Sequence, residues 1–155
     1  MSDWINSMKS KDDDAARQAQ NELGLRLHRA EVIRAKAPIF WESLMDSLKS
    51  DCIKLAEMFP NDLSRHCRFT SDDKTSCTLQ GNTDTRDTLR LTFSVQSMSI
   101  RQQFLTGMNV REKSDSSLEF DLGDHEELFL RGISGKICLP EIAAECLIKR
   151  VIRAS

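Results

Sequence analysis

The chain has 155 residues, 39% of them apolar and 30% charged, enough for one domain that buries its own core without metal or disulfide staples. Its 22 basic and 24 acidic side chains leave a net charge of −2. Segments 1–60, 61–135 and 136–155 each stay close to balance, so no overall field favours nucleic acid or an anionic membrane.

The N-terminal residues do not read as a signal peptide, and no apolar run approaches the ~20 residues of a membrane span. The five cysteines, Cys52, Cys67, Cys77, Cys138 and Cys146, are odd in number, widely spaced and without a C-x-x-C pair. That pattern fits free thiols in a reducing compartment, and the expected location is the cytoplasm.

Trp4, Ile5 and Met8 have helical spacing but suffice only for a short anchoring turn. Asp12, Asp13 and Asp14 are placed to cap a helix and to face the positive end of its dipole. From there Ala16, Ala19, Leu23, Leu27, Ala30, Ile33 and Ala37 recur every three or four residues, one narrow apolar stripe on a polar helix. Most of its members are alanine, which suits close contact between helices. Pro38 removes a backbone donor and disfavours helical geometry at Ala37. With no turn-forming cluster beside it, a kink within one long rod is expected. Beyond it, Trp41, Leu44, Met45, Leu48, Cys52, Leu55, Ala56 and Phe59 form a richer face, so helix 39–59 belongs to the core until Pro60 stops it.

The pattern then changes to period two. A first strand through His66, Cys67 and Phe69 turns at 71–74 and returns through 75–80. Residues 81–84 connect to the clearest strand, where Leu89, Leu91, Phe93 and Val95 alternate with polar residues. The phase slips at Gln96 and Ser97, leaving Met98, Ile100 and Phe104 as the next inward positions. Gly107 and the polar stretch 112–116 interrupt again, before Leu118, Phe120 and Leu122. Gly123 and Asp124 turn the chain into Leu128, Phe129 and Leu130. If Cys67, Phe69, Cys77 and Leu79 all face inward, paired residue numbers across the first hairpin sum to an even value. Cys67 then lies opposite or diagonal to Cys77.

Pro140 and Glu141 fit the first turn of a helix over 140–153, in which Glu141, Glu145, Lys149 and Arg153 form one polar stripe. The fold class is therefore α+β: a long kinked N-terminal helix, an antiparallel meander of five or six strands, and a C-terminal helix on one sheet face. The whole chain, 1–155, is expected to be a single domain made of a helical arm (1–60), a sheet (61–135) and a closing helix (136–155).

Chemistry is harder to find. His66 and Cys67 are adjacent, so in a strand they point to opposite faces, and no ligand pair has zinc-site spacing. A Cys–His dyad would need a thiol in a polar pocket, whereas four of the five thiols lie on apolar faces. Residues 26–36 are locally basic, with Arg26, His28, Arg29, Arg34 and Lys36, but the preceding aspartates would repel a polyanion. No catalytic, cofactor-binding or metal residue is assigned, and no enzyme activity, cofactor, nucleic acid or membrane is expected. The expected role is a non-enzymatic cytoplasmic interaction or assembly protein, a homodimer joined through Ala16, Ala19, Leu23, Leu27, Ala30 and Ile33. The alternative is a small-ligand pocket between the sheet and helix 39–59, lined by Trp41, Phe93 and Phe120.

Overall fold

The computed structural model describes residues 3–82, 86–106 and 112–152. One helix, α1, runs unbroken from Asp3 to Met58. It starts well before the three aspartates, because neither Gly nor Pro interrupts residues 3–14 and Asp3 already supplies negative charge in the first turn. Asp12, Asp13 and Asp14 are thus interior, and Asp14 pairs with Arg17 one turn on. Pro38 lies inside the helix and does not divide it. By compactness the chain forms two units, Met1–Val32 and Ile33–Ser155.

In the second unit a short 3-10 turn, Leu63–Arg65, leads into six strands. These are β1 (Cys67–Asp73), β2 (Ser76–Gly81), β3 (Thr88–Ser94), β4 (Ser99–Thr106), β5 (Glu112–Leu122) and β6 (Leu128–Arg131). They pair antiparallel in the order of the chain, the meander that short connections favour. Helix α2, Pro140–Lys149, closes the unit with Pro140 in its first turn. The α+β architecture expected from the pattern is the one observed. Residues 83 and 84 of the expected 81–84 connection and Gly107 lie outside the described residues, as does Arg153 of the expected α2 stripe.

Several local boundaries differ, each for a physical reason. Val95 belongs to the turn 95–98 and is exposed, because β3 ends at Ser94. The stretch 112–116 is no interruption: it is the first half of β5, paired residue by residue with β4. Its strand character comes from polar cross-strand partners, including the Arg101–Asp115 ion pair at 2.5 Å, so apolar alternation cannot reveal it. Helix α2 stops at Lys149, short of residue 153. It is also less thoroughly covered than its composition implies, since Ile142 is exposed.

The first hairpin pairs Cys67 with Gly81, Phe69 with Leu79 and Ser71 with Cys77, so the sums are even and both cysteines are buried on one face. They are neither opposite nor diagonal, however. The turn is tighter than expected: Asp73 accepts from the Thr75 amide at 2.7 Å and from its hydroxyl at 2.9 Å, carrying β1 on to residue 73.

One sheet face, carrying Leu79, Leu89, Leu91, Phe93, Ile100, Leu118, Phe120 and Leu130, forms a single buried cluster with Ala37, Phe40, Trp41, Leu44, Leu48 and Cys52 of α1. Ala143, Ala144, Leu147 and Ile148 of α2 join the same cluster. Phe40 was not anticipated as a core residue; it meets Phe120 edge-on, with ring centroids 5.3 Å apart. Gly81 is required by close approach, since a Cβ there would collide with the backbone carbonyl of Val151.

A polar network, with Gln102 buried and its partners exposed, ties the end of α2 to the sheet. Gln102, on the core face of β4, donates to the Ser116 hydroxyl at 2.7 Å and accepts from Arg150 at 2.6 Å. The Arg150 guanidinium also lies over the Phe104 ring. Replacing Gln102 with alanine removes both hydrogen bonds, but Ser116 and Arg150 are exposed and can turn to water, so urea unfolding should show a loss of about 1 kcal/mol. Replacement by glutamate, which still accepts from Arg150, should cost less.

Candidate functional site

Every residue from 3 to 31 of α1 is exposed. That includes Trp4, Ile5, Met8, Leu23, Leu25 and Leu27, each more than half exposed. A helix gains most of its stability in proteins from burying an apolar face, so six large apolar side chains in water within one helical unit call for an explanation. Ala16, Ala19, Leu23, Leu27 and Ala30 of the expected interface all lie in this exposed stretch. Ile33 does not: it is half-buried against the core cluster of the second unit.

Within the first unit the helical repeat gathers more residues than the alanine stripe alone. Met8 and Ala19 are eleven residues apart, about three turns, so the N-terminal apolar residues share a side with the stripe. Steps of three or four residues, with two steps of four meeting at Ala19, pass through Met8, Asp12, Ala15, Ala19, Leu23, Arg26 and Ala30. This set is symmetric about Ala19. Asp12 and Arg26 lie seven residues to either side of it, Ala15 and Leu23 four, and Met8 and Ala30 eleven.

Trp41, Phe93 and Phe120, the residues considered for a ligand pocket, are all buried and packed against one another. Trp41 stacks on Phe93 at 5.7 Å with an interplanar angle of 15°, and Phe93 meets Phe120 edge-on at 6.2 Å. The Trp41 indole N–H donates to the Lys74 carbonyl at 2.8 Å, which fixes the ring. These three rings fill space.

Concavities lie elsewhere in the second unit, and two of them bear on function. One is a groove of about 240 Å³ between the last turns of α1 and α2, floored by Leu55, Phe59, Ile148 and Ile152. The other, about 510 Å³, is more polar and is lined by Ala56, Cys67, Arg68 and Arg86 among others.

Cys67 on β1 lines that second cavity, and Cys52 on α1 belongs with it to the buried cluster. Coupling to Cys67 holds the Cys52 thiol below its ordinary range, while the same coupling and burial push Cys67 up. Burial pushes the neighbouring Cys77 thiol up to about 12. Sequence spacing gave no sign of the Cys52–Cys67 pair, because its members come from different elements.

His66 and His125 have partners other than these thiols. His66 donates through Nε2 to the Phe59 carbonyl at 2.7 Å, pinning the connection after α1. His125 is exposed, and its backbone amide donates to Glu127 at 2.9 Å. Of the basic residues at 26–36, Lys36 is engaged in the second unit, donating to the Glu126 carbonyl at 2.7 Å. Among the described residues, no group of three or more His, Cys, Asp and Glu is arranged to hold a metal ion. No described helix is long and apolar enough to cross a membrane. No protein-family model, curated protein or solved structure matches this chain.

Proposed function

We propose that this is a non-enzymatic interaction protein that assembles as a homodimer through residues 3–32 of α1, in the reducing cytoplasm. The observation that carries this reading is the exposed apolar face of that helix. A second copy is the occupant its charges suit best. In an antiparallel two-fold pairing centred on Ala19, residue numbers in contact sum to a constant, so Asp12 meets Arg26 of the other chain twice over. Ala15 meets Leu23 and Met8 meets Ala30, small against large, while Ala19 meets its own copy where the backbones are closest. A parallel pairing would instead set Asp12 against Asp12 and Arg26 against Arg26, which repels. All five cysteines are free thiols, which supports a reducing compartment.

Charge reversal tests both the dimer and its direction. Asp12→Arg alone and Arg26→Asp alone should each weaken dimerisation about tenfold or more, since each replaces two attractive contacts with two repulsive ones. The double variant should recover it. Ala19→Glu with Ala30→Glu should abolish the dimer while the sheet stays folded, because carboxylates would be desolvated at the contact.

A second reading, binding of a small apolar ligand, rests on the groove between the ends of α1 and α2. At about 240 Å³ it falls below the ~300 Å³ at which pockets for drug-sized ligands begin, which favours the assembly reading. A large thermal shift with a short amphiphile would reverse that preference.

A further inference from the structure

The cavity of about 510 Å³ at the start of β1 has a one-sided wall. The chain carries 24 acidic side chains, yet none of the described residues lining this cavity bears a carboxylate. Two are arginines, Arg68 and Arg86, and His66, Gln80 and Asn82 add polar groups. The sheet brings most of them together. Arg68 and Gln80 are cross-strand partners on β1 and β2, so their side chains rise side by side on one face. His66 and Asn82 come next along the same ladder, where the Asn82 amide donates to the His66 carbonyl at 3.3 Å. The His66 ring is fixed by its bond to the Phe59 carbonyl. Arg86 stands just before β3 with a left-handed backbone, φ 48°, and the Thr88 hydroxyl donates to its carbonyl at 3.1 Å. A residue other than glycine keeps that geometry only where its surroundings impose it, and such positions cluster at ligand sites. Both arginines are exposed, so a ligand can reach them from water.

We propose that this cavity binds a small phosphate monoester, with Arg68 and Arg86 on the phosphate and Gln80 and Asn82 on hydroxyl groups of the organic part. A guanidinium presents its N–H groups as a fork that matches two phosphate oxygens. Two such groups, with no carboxylate in the wall to oppose them, suit the charge of about −2 that a phosphate monoester carries at neutral pH. The volume lies within the ~300–1,000 Å³ of ligand pockets and leaves room beyond the phosphate itself. Each side-chain amide offers both donors and an acceptor, which hydroxyl groups can use and an aliphatic chain cannot. Because the arginines are exposed, their attraction is screened, and binding should weaken as ionic strength rises. The site shares no residue with the stripe of α1, so its failure would leave the assembly reading standing, and the converse holds.

The test is titration calorimetry of the full chain at low ionic strength with inorganic phosphate, glycerol 3-phosphate and glycerol. Inorganic phosphate should bind, glycerol 3-phosphate should bind about fivefold tighter, and glycerol alone should not bind. Arg68→Gln should weaken glycerol 3-phosphate about tenfold, and Arg68→Lys, which keeps the charge and loses the fork, by less. Arg34→Gln removes an exposed charge of α1 outside the cavity and should leave binding unchanged. Vesicles carrying phosphatidic acid present the same monoester on a lipid. Their capture of the wild-type chain but not of Arg68→Gln would keep the phosphate site and make its ligand a lipid head group. Absence of binding by both phosphates, or equal binding by wild type and Arg68→Gln, would overturn the proposal. So would an equal loss in Arg34→Gln, since the attraction would then come from overall charge. Equal affinity for the two phosphates would overturn the part given to Gln80 and Asn82.

Discussion

A chain ending at residue 139 is expected to lose its cooperative unfolding transition. Removing α2 takes away Leu147 and Ile148, together with Val151 just beyond it, all buried, and the two buried alanines Ala143 and Ala144. Each large side chain contributes roughly 1.5–3 kcal/mol by burial. The Arg150 contact to Gln102 disappears as well, leaving a buried amide oxygen without its donor. The sum approaches the roughly 5–15 kcal/mol that is all a domain usually has. Thermal melting followed by circular dichroism should therefore show a broad, weakly cooperative change. A sharp transition from the shortened chain would place α2 outside the essential core.

Trp41→Ala should be the most damaging single substitution in the second unit, at about 3–5 kcal/mol. The indole is almost fully buried, stacks on Phe93 and donates to Lys74, so truncation opens a cavity and frees the first β-turn from α1. Trp41→Phe keeps the stacking and loses the hydrogen bond, and should cost only about 1–2 kcal/mol. Urea titration measures both. Tryptophan fluorescence offers a site-specific check: with the exposed Trp4 replaced by Phe, emission should report Trp41 and stay blue-shifted until the sheet unfolds. Equal losses for the two Trp41 variants would mean that the hydrogen bond, not the packing, dominates.

What was legible in the sequence was periodicity coupled to burial. Leu89, Leu91 and Phe93 alternate because one face of the sheet is covered and the other is wet, and that contrast is written in the residue types. The long helix was legible for the same reason beyond Pro38, where Leu44, Leu48 and Cys52 repeat at helical spacing. The polar half of β5 was not, since its residues pair through charge and hydroxyl groups that look the same in a loop. Gln102 was missed because a buried amide is identified by its partners, Ser116 and Arg150, and these are remote in sequence. The same holds for Cys52 and Cys67. Trp41, Phe93 and Phe120 illustrate a further limit: aromatic residues on facing elements fill a core as readily as they line a pocket, and only ring geometry distinguishes the two. The exposed stripe of α1 was visible as a pattern. That its alanines and leucines stay uncovered within the chain follows from the fold alone.

The central claim, assembly through that stripe, is tested most directly by the mass of the full chain in solution. Sedimentation equilibrium, or size exclusion with light scattering, at high micromolar concentration should give twice the 17.6 kDa of one chain, falling to one chain mass for the Ala19→Glu, Ala30→Glu variant. A wild-type chain that stays at 17.6 kDa across that range would contradict the account, because the apolar face of α1 would then remain in water without a second copy to cover it.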